Sequence, residues 1–254
     1  MSENWFEDDD FWQLLGPNMF GPKQMAAAPE QVDDLIALLS LTGTECILDL
    51  PCGRGRHSIE FAKRGFPVTG VDRTAAYLDQ ARAAAREAEV SIEFVQDDLR
   101  RFSRPGAFDV ALCIFTSLGY FDTRETELAV LRNYHRNLKA GGALVIELMG
   151  KEIVCRIYRQ RDWSDVNGTL VLQNAEPIDA WRKIRNTWTI ITGNQRREFT
   201  FTHWLYSAEE LRLLLTDAGF ATCEFYGNLK RATYDQTATR LAVVARKSTA
   251  PLSG

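Results

Sequence analysis

The chain has 254 residues, 45% of them hydrophobic and 25% charged, the balance of an ordinary folded protein and not of a disordered one. That length suits one α/β core with an elaboration better than two independent domains. With 30 Lys and Arg against 34 Asp and Glu, the net charge of -4 offers no broad attraction to a phosphate backbone, which argues against a nucleic-acid partner. The local basic clusters, Arg182-Lys183 with Arg185 and Arg196-Arg197, read as solvated strand and turn faces.

Cys46, Cys52, Cys113, Cys155 and Cys223 form an odd set without a CxxC pair, and predict reduced thiols, mostly in the core. No run approaches the roughly 18 apolar residues of a membrane span. The amino terminus carries Glu3 and Glu7 to Asp10 where a signal sequence would be basic and then apolar. The expectation is a cytoplasmic protein with no membrane partner.

Residues 1–28 are rich in aromatics, with Trp5, Phe6, Phe11, Trp12 and Phe20 among acids, Gly16-Pro17 and Gly21-Pro22. They predict an irregular segment that folds back to hide its rings. From Pro29, the spacing of Val32, Leu35, Ile36, Leu38 and Leu39 predicts a first helix. Short apolar runs then alternate with amphipathic stretches. Strands are predicted over 46–50, 67–71, 92–95, 108–115 and 143–148, and helices over 56–64, 74–88 and 123–138, with Gly141-Gly142 as a helix terminator. Continuous apolar strands alternating with helices call for a doubly wound, mostly parallel sheet covered on both faces.

After Met149 the rhythm changes. Residues 169–175, 183–192 and 197–206 alternate polar and apolar side chains, with Gly193-Asn194 between the last two, and predict a small antiparallel β insert. Ser207 and Glu210 form a capping box that starts a helix running to Ala218 before Gly219. Strands over 220–226 and 240–245 close the core. The expected organisation is an aromatic segment 1–28, an α/β core 29–150, an insert 151–206 and the remainder of the core 207–247.

In an open parallel sheet, ligands bind beyond the carboxyl ends of the strands. The first strand runs into Asp49-Leu50-Pro51-Cys52-Gly53-Arg54-Gly55-Arg56, where two glycines let backbone approach a ligand closely. Asp72 ends the second strand about 20 residues further on, where a carboxylate can accept both hydroxyls of a ribose. Asp98, after Asp97, follows the third strand, so three successive strand ends offer groups to one crevice. The loop lacks both GxGxxG and GxxxxGK[ST], which favours a nucleoside without phosphates.

On these residues the chain resembles the class I S-adenosylmethionine-dependent methyltransferases, from about Pro29 to Lys247. Ile47 to His57 looks like the first family motif, and Pro51 departs from it by standing where the family usually has its first glycine. The resemblance implies S-adenosylmethionine as cofactor, with Asp49, Pro51, Cys52, Gly53, Gly55 and Arg56 around its methionine part. It places Asp72 and Arg73 at the ribose, Asp97, Asp98 and Leu99 at the adenine, and Phe115 and Ser117 beside the methyl group. Leu138 to Gly142 and Glu209 to Phe220 match later landmarks of that fold.

Methyl transfer is an in-line displacement that needs alignment, exclusion of water and, for a protonated nucleophile, a base. Tyr120 and His203 are the catalytic candidates, with Trp12, Phe20, Tyr206 and Tyr234 as substrate-binding candidates. The amino-terminal aromatics form a candidate lid, since ring faces attract a sulfonium as they attract other cations. His57 and His135 read as structural, and no HxH or HxxxH spacing points to a metal. The expected acceptor is a small molecule, and the Ser117-Leu118-Gly119-Tyr120-Phe121 subset with its insert leans towards an amine, with hydroxyl and activated carbon acceptors open. A monomer or homodimer is expected. An NAD-dependent oxidoreductase and a non-catalytic nucleoside-binding domain are the competing readings.

Overall fold

The structure, a computed structural model, describes residues 5–166 and 168–249. A 3-10 turn over Trp5–Glu7 leads into α1 (Asp9–Met19), α2 (Pro22–Ala26) and α3 (Ala28–Leu39). The segment predicted to be irregular is therefore helical. Asp8 caps α1, its carboxylate accepting the N–H groups of Asp10 and Phe11. The ring of Phe11 is buried against the insert, so tertiary packing holds a helix that carries Gly16-Pro17 within it.

The core follows as β1 (Ile47–Asp49), α4 (Arg56–Lys63), β2 (Val68–Asp72), α5 (Ala75–Glu87), β3 (Glu93–Gln96), β4 (Phe108–Cys113), α6 (Arg124–Asn137) and β5 (Leu138–Leu148). A short α7 (Lys151–Ile157) precedes the insert, β6 (Arg161–Val166), β7 (Thr169–Ile178), β8 (Lys183–Thr192) and β9 (Gln195–Trp204). Then α8 (Ala208–Asp217), β10 (Thr222–Tyr226) and β11 (Leu241–Arg246) return to the core.

Seven strands make one sheet in the order β10-β11-β5-β4-β1-β2-β3. β3, β2, β1, β4 and β5 pair in parallel, and β11 lies antiparallel between β5 and β10. The buried runs of β1, β2 and β5 reflect cover on both faces. On one face Leu48, Ala111 and Ile146 meet Val130, Leu131 and Tyr134 of α6 and Leu211, Leu214 and Leu215 of α8. On the other, Ile47, Leu112 and Val145 meet Val32 and Leu35 of α3 and Phe61 of α4. Winding reverses between β1 and β4, so the ligand crevice of such a sheet opens at their carboxyl ends.

Three differences from the sequence reading have local causes. Gly141-Gly142 lies inside β5 and does not end α6; Phe108 pairs with Leu138 but Val110 with Ala143, so the glycines absorb a bulge. β6 was not anticipated, because Asp162, Ser164 and Asp165 leave it little apolar alternation as an edge strand. The third is α7, too short to show periodicity. Among the described residues no helix is long and apolar enough to cross a membrane.

Candidate active site

The loop after β1 is folded by its neighbours as much as by its own glycines. Cys52 donates its N–H to Val71 O (2.8 Å), and Gly53 donates to Asp72 Oδ2 (2.8 Å), stitching the loop to the end of β2. Gly53 sits at φ +55°, and a Cβ there would lie 2.8 Å from the Phe20 ring, so only glycine fits beneath that ring. Gly55 begins α4 at φ +74°. Ser58 N–H in that first turn is taken by Asp49, and the N–H groups of Arg56 and His57 before it, with the buried Arg56 side chain, suit a carboxylate.

Above the loop lies a cavity of about 390 Å³, running across the carboxyl ends of β1, β2, β3 and β4. Asp49, Pro51, Cys52, Gly53, Arg56, Asp72, Arg73, Asp97, Asp98, Leu99, Phe115, Ser117 and Tyr120 all line it. Gly55 stands off it, packed against Ala81 and Phe94. Trp12 and Phe20 line it from above, with Phe6 and Met19. Tyr206 is buried on the core side, stacked on Trp204, with no hydrogen-bond partner for its hydroxyl among the described residues. Tyr234 donates to Glu152 Oε2 (2.8 Å) near a separate surface groove. His203 lies on β9 beside Asn186 and Phe201, outside the cavity, and burial pushes its pKa down to about 4. The structure thus gathers Tyr120 with the predicted cofactor residues and keeps His203, Tyr206 and Tyr234 apart from them.

Each carboxylate in the cavity has its own setting. Asp72 is only 7% exposed; its Oδ2 takes Gly53 N–H and its Oδ1 takes Thr74 N–H, both at 2.8 Å. Two backbone bonds leave lone pairs free for hydroxyl donors. Burial raises its pKa, against the pull of those N–H groups. Asp49 accepts from Ser58 Oγ at 2.6 Å, and burial lifts its pKa to about 6. Asp98 is tied to Arg100, whose Nε and backbone N–H both bond Oδ1 at 2.8 Å, and these bonds outweigh burial to lower its pKa. Because Arg100 occupies Asp98, the backbone N–H of Leu99, which has no acceptor among the described residues, is the freer group for a base edge. His57 shares a hydrogen bond with Gln31 Oε1 (2.9 Å) and stacks on Phe115, and burial drives its pKa down to about 3, so it stays neutral. Cys52 is buried with its thiol pushed up by desolvation, and is unreactive.

These donors and acceptors fit an S-adenosylmethionine-like molecule laid along the strand ends. Leu99 N–H would take the adenine edge, Asp72 the ribose, and Arg56 with the α4 amino end the amino-acid carboxylate.

Several residues that shape the site carried no local signal. Arg54 places its guanidinium over the rings of Phe20 and Tyr77, 4.9 and 5.3 Å from their centroids. Tyr77 donates to Trp12 O, Arg73 pairs with Asp9 (2.7 Å) and Arg100 with Glu7 (2.8 Å). Trp5 Nε1 donates to Thr202 O of β9 (3.2 Å), so the amino-terminal helices bridge the core and the insert. Phe115 and Thr116 adopt φ +62° and +61°, rare for side-chain-bearing residues and typical of functional sites. Glu147 holds them, taking Phe115 N–H on Oε2 (3.0 Å) and Thr116 N–H on its backbone oxygen (2.9 Å), and is itself paired with Arg240. Buried Glu127 holds the segment beyond them. Its signal was a lone acid on the stripe shared with Val130, Leu131 and Tyr134.

Comparison with known proteins finds methyltransferases of the same fold. A family profile described as a methyltransferase domain matches residues 47–142. YqeM of Bacillus subtilis (strain 168) is 27% identical over 199 residues, covering 76% of this chain and 77% of that one. The dTDP-3-amino-3,4,6-trideoxy-alpha-D-glucopyranose N,N-dimethyltransferase of Streptomyces venezuelae is 28% identical over 125 residues, 49% of this chain and 51% of that protein. The crystal structure of a S-adenosylmethionine-dependent methyltransferase from Clostridium acetobutylicum ATCC 824 aligns with a TM-score of 0.76 over 94% of this chain and 98% of that chain. At 13% identity that match is a likeness of fold.

Proposed function

We propose that this chain, which belongs to the class I S-adenosylmethionine-dependent methyltransferases, methylates a small-molecule amine held at the Tyr120 end of the cavity. Bound there, the cofactor supplies a methyl carbon already activated by its sulfonium. The residues then have to align the acceptor and exclude water. The observation that carries the amine reading is that, among the described residues, no strong base stands free beside Tyr120: His57 in the cavity wall is hydrogen-bonded to Gln31 with its pKa driven down to about 3, and Glu127 faces the N–H groups of Gly119 and Phe121. The carboxylates lining the cavity, Asp49, Asp72, Asp97 and Asp98, belong to the strand ends that hold the cofactor. Beside Tyr120 stand the rings of Trp5 and Trp12, with centroids 4.7 and 6.3 Å from its own, and burial raises the Tyr120 pKa, so its hydroxyl remains protonated at neutral pH.

A hydroxyl or carbon acid needs a proton removed before it attacks. A neutral amine attacks with its own lone pair, and an apolar wall favours the neutral amine over its ammonium form. Tyr120 then acts as a hydrogen-bonding guide for the acceptor. Residues 5–28 would cap the cofactor, and the insert would back the acceptor side through the Trp5 to Thr202 contact. The relative that methylates the amino group of a nucleotide sugar supports the same acceptor class.

Purified protein with S-adenosylmethionine would be offered parallel panels of amines, including amino sugars, and of phenols and alcohols, with product followed by mass. The reading expects the gain of one methylene on amines, reduced in Tyr120→Phe. Product confined to phenols or alcohols would overturn it.

A further inference from the structure

The peptide groups on either side of Tyr120 are held in an unusual way. Gly119 N–H donates to Glu127 Oε2 (3.0 Å) and Phe121 N–H donates to Glu127 Oε1 (2.8 Å). The matching carbonyls are also taken, by one residue: Gly119 O accepts from Trp204 N (2.7 Å) and Phe121 O accepts from Trp204 Nε1 (2.7 Å). Four hydrogen bonds, two to Glu127 of α6 and two from Trp204 at the end of β9, therefore fix four successive peptide planes; of the two that flank Tyr120, Trp204 holds the one carrying Gly119 O and Glu127 the one carrying Phe121 N–H. The fit is close, since Gly119 lies at φ +104° and a Cβ there would sit 3.0 Å from Trp204 O.

We propose that Glu127 and Trp204 are positioning residues that clamp Tyr120 against the methyl-transfer site, and that the clamp works fully only while Glu127 is ionised. A carboxylate is the side chain this arrangement needs, because both its oxygens accept while an amide offers only one acceptor. Glu127 is 0% exposed, and among the described residues it has no salt-bridge partner, unlike Glu147 with Arg240. A lone buried carboxylate is costly, and two backbone donors are its compensation. Protonation turns one acceptor into a donor facing an N–H, so one of the two bonds is lost and the backbone next to Tyr120, at Gly119 or at Phe121, is freed.

The surroundings leave that ionisation open near neutrality. Burial raises the Glu127 pKa to about 7, against the two N–H groups that lower it. The titratable groups that sense its charge are Cys113 on β4, Tyr120 itself, Tyr134 on α6 and Tyr206 after β9. All four have raised pKa values and are uncharged in this range. Arg124, at the start of the same helix, is engaged by Asp217 at 2.9 Å.

The inference takes its catalytic meaning from the transfer reaction proposed above, but its test needs no turnover, so the two can fail separately. The full chain would be labelled with 3-fluorotyrosine, and the Tyr120 signal among seven tyrosines assigned by its loss in Tyr120→Phe. In the unsubstituted protein the Tyr120 fluorine shift should move through one step centred near 7, and the step should persist in Asp49→Asn, which removes the cavity carboxyl with a pKa of about 6. In Glu127→Gln the signal should be flat across the neutral range. Trp204→Phe, which removes only the indole bond, should broaden or shift it. Where an amine acceptor turns over, Glu127→Gln should lower kcat by about tenfold to a hundredfold, the scale of a misplaced reacting group, while the cofactor KM stays within about twofold. A Tyr120 signal indifferent to pH in the unsubstituted protein, or an equal step in Glu127→Gln, overturns the clamp. If Glu127→Gln does not fold, the titration of the unsubstituted protein and of Asp49→Asn still decides.

Discussion

Replacing Asp72 with asparagine probes the ribose position with little change of shape. In the folded chain each oxygen of Asp72 already takes one backbone N–H at 2.8 Å, from Gly53 and from Thr74. Asparagine keeps one oxygen, so one backbone donor and one ribose hydroxyl lose their acceptor together. A hydrogen bond to a charged group contributes about 1.5–3 kcal/mol, so cofactor binding should weaken by about 10- to 150-fold. Folding should suffer less, because the same change removes a buried charge whose pKa burial has raised. Calorimetry with S-adenosylmethionine and with its demethylated product measures the affinity, and a thermal scan checks the fold. A sharper arm uses the demethylated product lacking both ribose hydroxyls. The unsubstituted chain should bind that analogue far more weakly than the parent, and Asp72→Asn should lose most of that preference. A folded Asp72→Asn protein that binds within about twofold of the unsubstituted chain, or that keeps the full preference, refutes the ribose assignment.

Three other outcomes follow from the geometry. Gly53→Ala puts a side chain into a left-handed conformation and against the Phe20 ring, so it should lose about 1–2 kcal/mol of stability and expose the amino-terminal helices, read by denaturant titration. Trypsin cutting after Lys23 in α2 should slow about tenfold when cofactor is present at about ten times its Kd, if those helices close over it; unchanged cutting sinks the lid. His57 has a folded pKa of about 3 against 6.5 for the free side chain, so its contribution is complete above 6.5 and is lost as pH falls from there towards 3. Urea unfolding at neutral and mildly acidic pH should show the unsubstituted chain losing about 1.4 kcal/mol per pH unit more than His57→Gln; parallel losses would show that the ring is not held neutral.

The doubly wound core was legible because each piece of it is local. An apolar run such as Val110 to Ile114 has to be buried on both faces, and the amphipathic spacing after it fixes the helix that buries one of them. The insert was legible for the same reason, since β7, β8 and β9 alternate along their length. The amino-terminal helices were not, because little in residues 5–26 shows an amphipathic period. What holds them is contact with Tyr77, Arg73, Arg100 and Thr202, between 64 and 197 residues away in sequence.

The same division runs through the site. Asp49, Asp72 and Asp98 stand at strand ends, and strand ends can be counted from the sequence alone. His203 and Tyr234 have suitable chemistry, but no strand end of the parallel sheet places them, and both lie away from the cavity. The residues that shape the strap from Phe115 to Phe121, namely Glu127 of α6, Glu147 of β5, Trp204 of β9 and Arg240 just before β11, meet only in three dimensions. One of them still left a trace. An acid on the stripe of α6 that also carries Val130, Leu131 and Tyr134 contradicts the helix's own pattern. A buried carboxylate without a cation persists only where donors are waiting for it, and here the donors flank Tyr120. A polar residue that breaks an apolar stripe is thus a sequence-level pointer to a backbone segment that needs holding, even when the segment itself cannot be named in advance.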